Sequence, residues 1–160
     1  MMKNILIPVD GSEHSLFAVN IAKDLAQCSG MKMFLLNVQK KELPFHEFAQ
    51  LAVLNKDRLD DYMNKLGESK LEKAKEILSG FNYEAQIKQG DPVDEILKYA
   101  RDIEADVIVM GSHGTTGLIS SFLGSVANKV ITFSSIPVMI TRDPNIPTYW
   151  SGDWIPTPDR

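Results

Sequence analysis

The sequence predicts an α/β fold, a single doubly wound parallel five-stranded sheet with helices on both faces. Strand-length apolar runs alternate with segments of helical periodicity, in the order β-α-β-α-β-α-β-α-β. The apolar runs are nearly continuous, which is typical of parallel strands that are covered by helices on both faces. Residues that start and stop helices stand between the segments, as parallel strands joined by crossover helices require.

The first quarter of the chain begins with a strand over residues 4–9 that ends at Asp10. Ser12 follows as a good N-cap for an amphipathic helix. Gly30 ends that helix, because glycine adopts the left-handed C-cap conformation without strain. Residues 31–38 then form a second apolar run, which predicts another buried strand.

The middle of the chain has a less regular pattern. Pro44 breaks the chain, and apolar residues within 45–54 recur at roughly helical spacing. A longer amphipathic pattern then runs to Gly80, with an interruption at Gly67. Residues 83–89 alternate between polar and apolar types, which predicts a strand near a sheet edge.

The last predicted elements have clearer boundaries. Asp91 is the N-cap of a helix with Pro92 in its first turn, where a missing N–H is tolerated. Residues 106–110 form a buried strand, and a glycine-rich loop then leads into a helix that ends near residue 134. Residues 137–141 are the last strand.

The chain is expected to hold one domain, over residues 1–142, and a tail over 143–160. The tail carries four prolines, which oppose regular structure. It also carries Tyr149, Trp150 and Trp154, and large aromatic residues favour a tail that docks on a surface.

The composition excludes several classes of protein. The 160 residues are 44% hydrophobic and 24% charged, as in an ordinary globular domain. A formal net charge of −4 argues against a dedicated nucleic-acid surface. No apolar run approaches the ~20 residues of a membrane span, and the single cysteine cannot form an internal disulfide. We therefore expect a cytoplasmic protein that binds neither nucleic acid nor membrane.

The most informative stretch is the glycine-rich loop after residues 106–110. Gly111, Gly114 and Gly117 allow sharp turns and a close approach of the backbone to a ligand. Gly124 then precedes a helix whose free N–H groups suit a phosphate. The alternative is that the glycines only make a tight turn between strand and helix. Neither the P-loop nor the Gly-x-Gly-x2-Gly pattern is present, which disfavours a P-loop NTPase and a Rossmann dehydrogenase.

The expected strand order, 3-2-1-4-5, indicates where a ligand would bind. In doubly wound sheets ligands bind at the carboxyl ends of the strands, where the strand order reverses. Asp10 follows the first strand and Gly111 the fourth, so the two meet at that crevice. Asp10 is then an acceptor for ribose or base groups, or, as the alternative, a cap of the turn before Ser12.

The pattern Gly111-x2-Gly114-x9-Gly124-Ser125 resembles the ATP-binding motif of the universal stress protein family. The segments Ile-Leu-Ile-Pro-Val-Asp-Gly-Ser, Ala-Asp-Val-Ile-Val-Met-Gly-Ser-His-Gly and Pro-Val-Met-Ile are also similar to that family, and the likeness covers residues 3–142. The resemblance implies an adenine nucleotide alpha hydrolase-like fold.

The resemblance also implies three sets of ligand-binding residues. The residues that would line the adenosine are Pro8, Val9, Asp10 and, through its backbone, Val38. Those that would run beside the ribose and phosphates are Met110, Gly111, Ser112, His113 and Gly114. Those that would hold the outer phosphates are Gly124, Ser125 and Val126. Thr115 stands where the family commonly has an arginine, which removes a possible phosphate cation and leaves the backbone cradle. Mg²⁺ is expected with the nucleotide.

The resulting hypothesis is an ATP-binding regulatory module of the stress response, without a catalytic residue or a protein-held metal. The family implies a homodimer paired through the last strand, whose apolar edge is otherwise unprotected. One alternative is a slow ATPase or an autophosphorylating protein, for which the loop offers hydroxyls at Ser112, Thr115, Thr116, Ser120 and Ser121. Another is a partner-binding stress protein whose nucleotide pocket is vestigial.

The remaining reactive side chains carry weaker signals. His113 lacks a nucleophile and an orienting carboxylate, so a positioning role is expected. His14 and His46 are expected to be solvated or on helix surfaces. Cys28, late in the first helix, is expected to be a small buried apolar group.

Overall fold

The computed structural model describes residues 2–40, 56–114 and 123–143. The expected helical face within 45–54, Gly117 and the tail beyond Asp143 lie outside the described residues. The described elements are β1 (Asn4–Pro8), α1 (Glu13–Ser29), β2 (Lys32–Gln39), α2 (Lys56–Ile77), β3 (Tyr83–Gln89), α3 (Pro92–Asp102), β4 (Val107–Gly111), α4 (Ser125–Phe133) and β5 (Val138–Thr141).

The five strands form one parallel sheet in the order β3-β2-β1-β4-β5. The predicted fold class and strand order are therefore confirmed. β1 lies at the centre, where Ile5 pairs with Met33 of β2 on one side and with Val107 of β4 on the other. β3 is an edge strand, as the alternation over 83–89 predicts, and β5 is the other edge.

Helices cover both faces of the sheet, and each face has its own apolar core. Ile5 and Ile7 of β1 pack with Val19 of α1 and Leu71 of α2. Leu6, between them, packs in a second core with residues of α3 and α4. Because successive residues of a strand face opposite sides, a central strand covered on both faces is apolar at every position. This explains the unbroken apolar run of β1.

Both predicted ends of α1 and the predicted start of α3 are confirmed. Ser12 Oγ accepts a hydrogen bond from the backbone N–H of Ser15 at 3.2 Å, and Gly30 ends α1 with φ 72°. Asp91 Oδ1 accepts from the backbone N–H of Val93 at 2.8 Å. N-caps of this kind contribute about 1 kcal/mol each to stability. The start of each helix is therefore set by its own sequence.

The expected interruption at Gly67 is wrong, because α2 runs through this residue as one helix of 22 residues. Gly67 lies where α2 crosses β3, and a Cβ there would lie 2.7 Å from Cγ2 and 2.9 Å from Cδ1 of Ile87. The glycine therefore serves a close approach of the helix to the sheet. Its position in the sequence does not distinguish this use from a helix break.

The expected burial of Cys28 is also wrong, because its side chain is exposed. Ala22 and Ala26 belong to the buried face of α1. Cys28 follows Ala26 by two residues, which places it about 200° around the helix from that face.

No helix of the described ranges 2–40, 56–114 and 123–143 combines the length and the apolar character needed to cross a membrane.

Candidate functional site

The carboxyl ends of β1 and β4 lie side by side, at the point where the strand order reverses. β1 ends at Pro8 and β4 at Gly111, and the segments that follow them approach each other. A Cβ at Gly114 would lie only 2.6 Å from Asp10 Oδ2. The structure thus brings Asp10 to the glycine loop, as the topology argument predicts.

Both ends of the glycine motif are also in contact. The backbone N–H of Gly124 donates to the carbonyl of Ser112 at 2.8 Å. A Cβ at Gly124 would lie 3.2 Å from that carbonyl oxygen and 3.3 Å from Cα of His113. The residues at 111–114 and those at the start of α4 therefore form one compact surface, although nine residues separate them in the sequence.

The contacts of these glycines are with the protein's own atoms. Gly111 is fully enclosed, and a Cβ there would lie 2.7 Å from both the backbone C and the backbone O of His14 in α1. Close packing of the chain on itself, the alternative to a ligand site, accounts for Gly111 without any ligand. Gly111 therefore does not indicate a ligand, and only other groups in the crevice could do so.

Asp10 holds the turn between β1 and α1. Its Oδ1 accepts hydrogen bonds from the backbone N–H of Ser12 at 3.0 Å and from the Ser12 hydroxyl at 2.5 Å. The structure thus shows Asp10 capping the turn before Ser12, which was the alternative to a ligand-binding role. Asp10 Oδ2 faces Gly114, so the carboxylate spans the floor of the crevice between β1 and β4.

The first turn of α4 is the second polar feature of the crevice among the described residues. α1 and α3 have side-chain caps, whereas α4 begins at Gly124 with no side-chain cap and has no acidic residue in its first turn. The first N–H groups of a helix have no partner within the helix, and the helix dipole adds a positive potential there. Ser125 is exposed at this position and Val126 is half-buried. This helix start offers donors to an anion.

Several other predicted site residues have side chains that are buried or half-buried. The side chains of Val9 and Met110 are buried in the two cores, and Ser112 is 1% exposed. Val38 is half-buried at the end of β2, where it pairs with Lys88 of β3. The pairing of β1 with β2 ends at Leu36, two residues before Val38.

The structure also shows a buried network of polar side chains at this end of β2, which the sequence did not predict. The side-chain amide of Asn37, 1% exposed, donates to the carbonyl of Val9 at 2.7 Å. The Gln39 amide donates to Asn37 Oδ1, and Lys70 Nζ lies 3.5 Å from Gln39 Oε1. The sequence signal for this network is Asn37, an amide within an otherwise apolar run.

His14 is another residue whose environment differs from the expectation of a solvated helix surface. It is half-buried, and its ring lies 5.2 Å from that of His113 with an interplanar angle of 42°. His113 Nδ1 lies 3.0 Å from the hydroxyl of Ser112, which orients its ring. The sequence does contain a signal that His14 lies near the crevice. His14 follows the N-cap Ser12 by two residues, and the first turn of α1 must lie at the same sheet edge as Asp10.

The environment of His14 favours the neutral form of its imidazole. Burial lowers the pKa of His14 below its usual 6.5, and the neighbouring His113 lowers it further. Asp10, Asp143 and Glu13 act in the opposite direction and do not compensate. The crevice therefore holds an imidazole that any added negative charge would help to protonate.

The chain is similar to known proteins over nearly its whole length. The sequence profile of the universal stress protein family matches residues 1–142. The universal stress protein MJ0577 of Methanocaldococcus jannaschii is 35% identical over 91% of this chain and 98% of its own. The universal stress protein YxiE of Bacillus subtilis is 31% identical over 89% of this chain and 100% of its own.

Solved structures share the fold. That of MJ0577 matches with a TM-score of 0.76 and 33% identity, over 91% of this chain and 99% of that chain. A universal stress protein in complex with cAMP matches with a TM-score of 0.58 and 24% identity, over 88% and 97%. One from Archaeoglobus fulgidus in complex with dAMP matches with 0.58 and 17%, over 89% and 98%. With the family profile and the relatives above 30% identity, these matches show that the chain belongs to the universal stress protein family.

Proposed function

We propose that the protein binds ATP in the crevice between Asp10 and the surface formed by 111–114 and the start of α4. The observation that carries the proposal is the first turn of α4, which has no side-chain cap among the described residues and meets the glycine loop at the carboxyl ends of β1 and β4. Backbone N–H groups at a helix start bind phosphate well. Ser125 and Val126 would supply these donors, and the absence of a side chain at Gly114 leaves room for the Asp10 carboxylate.

The adenosine would lie towards β2. Pro8, Val9 and Asp10 end the central strand, and Val38 extends two residues beyond the pairing of β2 with β1. The strand edge at Val38 suits a flat base that makes backbone hydrogen bonds. Two universal stress proteins of the same fold bind cAMP and dAMP, which supports adenine as the base.

Mg²⁺ would enter with the phosphates of the nucleotide. Within the described ranges, no group of three or more His, Cys, Asp or Glu side chains could hold a metal by itself. Asp10 is the carboxylate of the crevice floor, and Mg²⁺ in proteins typically takes one or two carboxylates together with phosphates and water. The residues present thus fit a nucleotide-borne metal, whose chemistry would be to neutralise phosphate charge.

We assign the protein a regulatory role in the stress response, in which ATP occupancy changes what the protein associates with. A homodimer paired through β5 is part of this proposal. β5 is an edge strand, and Met139 on it is 40% exposed, with Phe133 at the end of α4 66% exposed. An exposed apolar strand edge is a surface that a second strand can cover. Met139→Asp should convert the dimer to a monomer in light scattering; an unchanged mass would exclude this interface.

A negative charge introduced into the first turn of α4 tests ATP binding. Ser125→Glu places a carboxylate where the outer phosphates would lie, and an acidic residue at a helix start otherwise favours the helix. We expect calorimetry with ATP and Mg²⁺ to show affinity reduced about tenfold, with thermal stability unchanged or raised. Asn128→Glu, an exposed position one turn later, makes the same charge change as a control and should lower affinity less than about threefold.

Two further measurements bear on the same proposal. Freshly purified protein, when denatured, should release adenine nucleotide or should bind it on addition. ATP labelled at the γ-phosphate should remain unhydrolysed after hours of incubation. Absence of both bound nucleotide and binding heat would refute the proposal, and release of labelled phosphate would favour the slow ATPase instead.

A further inference from the structure

We propose that His14 and His113 together bind a phosphate group of the nucleotide as a pair of imidazoles, and that binding takes up a proton. This inference rests on the proposed function, because the anion is the ligand proposed for the same crevice. It adds a ligand-binding residue, His14, and a dependence of affinity on pH.

The pair is fixed by the backbone on both sides. His14 lies in the first turn of α1 and His113 follows β4, with ring centroids 5.2 Å apart. The close contact of Gly111 with the carbonyl of His14 locks α1 against the end of β4. The Ser112 hydroxyl contacts His113 Nδ1 at 3.0 Å and orients that ring. The two imidazoles are therefore held at the carboxyl ends of β1 and β4, beside the loop 111–114.

His14 has an unused hydrogen-bonding group. Its Nδ1 is buried and has no hydrogen-bond partner within the part of the chain that the structure describes. A buried nitrogen of this kind is destabilising, and native proteins rarely leave one without a reason. A turn of the imidazole towards the crevice would bring this nitrogen to a phosphate oxygen, and in the protonated ring the nitrogen is a donor.

The charges around His14 determine the direction of the pH effect. The ionisable groups that face it are His113, Asp10, Asp143 and Glu13. In the free protein, burial and His113 keep the pKa of His14 below its usual value. A phosphate adds negative charge and an acceptor, and both favour the imidazolium. The pKa is thus higher in the complex than in the free protein, so binding takes up a proton and affinity rises as pH falls.

The experiment is calorimetry of ATP binding in buffers of different ionisation enthalpy, which counts the protons taken up. His14→Phe keeps a ring against His113 without its nitrogens, and His14→Asn keeps a hydrogen-bonding group near the place of Nδ1 without a proton to exchange. At about pH 6 we expect His14→Phe to bind ATP about tenfold more weakly than the native chain, and at about pH 8 less than twofold more weakly. Both variants should take up fewer protons, whereas His46→Gln, which replaces the third histidine, should match the native chain.

An NMR titration of the native protein tests the same inference without a variant. The imidazole signal of His14 should titrate at higher pH once ATP is bound, and an unmoved midpoint would overturn the inference. Equal proton uptake by the native chain and both His14 variants would also overturn it, while ATP binding itself would stand. If the native chain binds no ATP at any pH, the proposed function fails as well, so the two failures are distinguishable.

Discussion

Gly111→Ala should destabilise the fold before it affects any ligand. The new Cβ would lie 2.7 Å from the backbone C and O of His14 and 3.0 Å from its Cβ. Carbon atoms pack at about 3.5–4.0 Å, so α1 and β4 would have to separate by about 1 Å. Backbone atoms on both sides prevent a side-chain rotation from relieving the clash.

The expected magnitude follows from two opposing terms. Overpacking a close contact costs about 1–3 kcal/mol, and a contact between backbone atoms belongs at the upper end of this range. Replacing a glycine restricts the unfolded chain, which raises the free energy of unfolding by about 0.4–1 kcal/mol. The net loss in free energy of unfolding is therefore about 2 kcal/mol, or a fall in Tm of about 4–8 °C.

Urea denaturation followed by circular dichroism measures this loss. Gly124→Ala is the matched control within the same motif: its nearest contacts would be 3.2 and 3.3 Å, and its φ of −57° suits alanine. We expect this control to lose less than about 1 kcal/mol. If Gly111→Ala unfolds at the native urea concentration and loses only ATP binding, the packing argument is refuted and Gly111 is a ligand residue.

Three further predictions concern packing, buried polar groups and acid stability. Gly67→Ala should destabilise the protein, because its Cβ would clash with Ile87. Ile87→Ala is destabilising alone, but it removes the side-chain atoms within 3.0 Å and should therefore restore stability in the Gly67→Ala background. Additive losses in a double-mutant cycle would contradict this. Asn37→Leu leaves the buried carbonyl of Val9 without its partner and should cost about 2 kcal/mol in urea denaturation, and a loss under 0.5 kcal/mol would show that the carbonyl finds another donor. The backbone N–H groups of Lys3 and Asn4 lower the pKa of Asp106 below 3.8. The stability that Asp106 contributes is therefore present above pH 3.8 and is lost as the pH falls through the lowered pKa. Asp106→Asn should flatten the acid side of the curve of stability against pH, and an unchanged curve would refute this prediction.

The fold was predictable because its signals are local and repeated. The apolar residues of β1 and the caps Ser12 and Asp91 each define an element without reference to the rest of the chain. The reversal of strand order then brings Asp10 to the glycine loop through topology alone.

What the sequence could not predict depends on contacts between distant elements. Gly67 is used for the approach of α2 to β3, yet a glycine in a helical pattern also predicts a break. His14 looks like a solvated helix residue until α1 is packed against β4 at Gly111. Asn37 contacts Val9, 28 residues away, and such a partner cannot be inferred from the spacing of polar residues along the chain.

Ser112 has a mechanical consequence for the crevice. Its backbone N–H donates to the carbonyl of Thr141 at the end of β5, at 3.0 Å, and its own carbonyl accepts from Gly124 at 2.8 Å. The residue is 1% exposed, so water cannot replace either bond at low cost. The last residue of the edge strand and the start of α4 are thus joined through one rigid residue. Displacement of either end must strain a hydrogen bond or pull the other end with it.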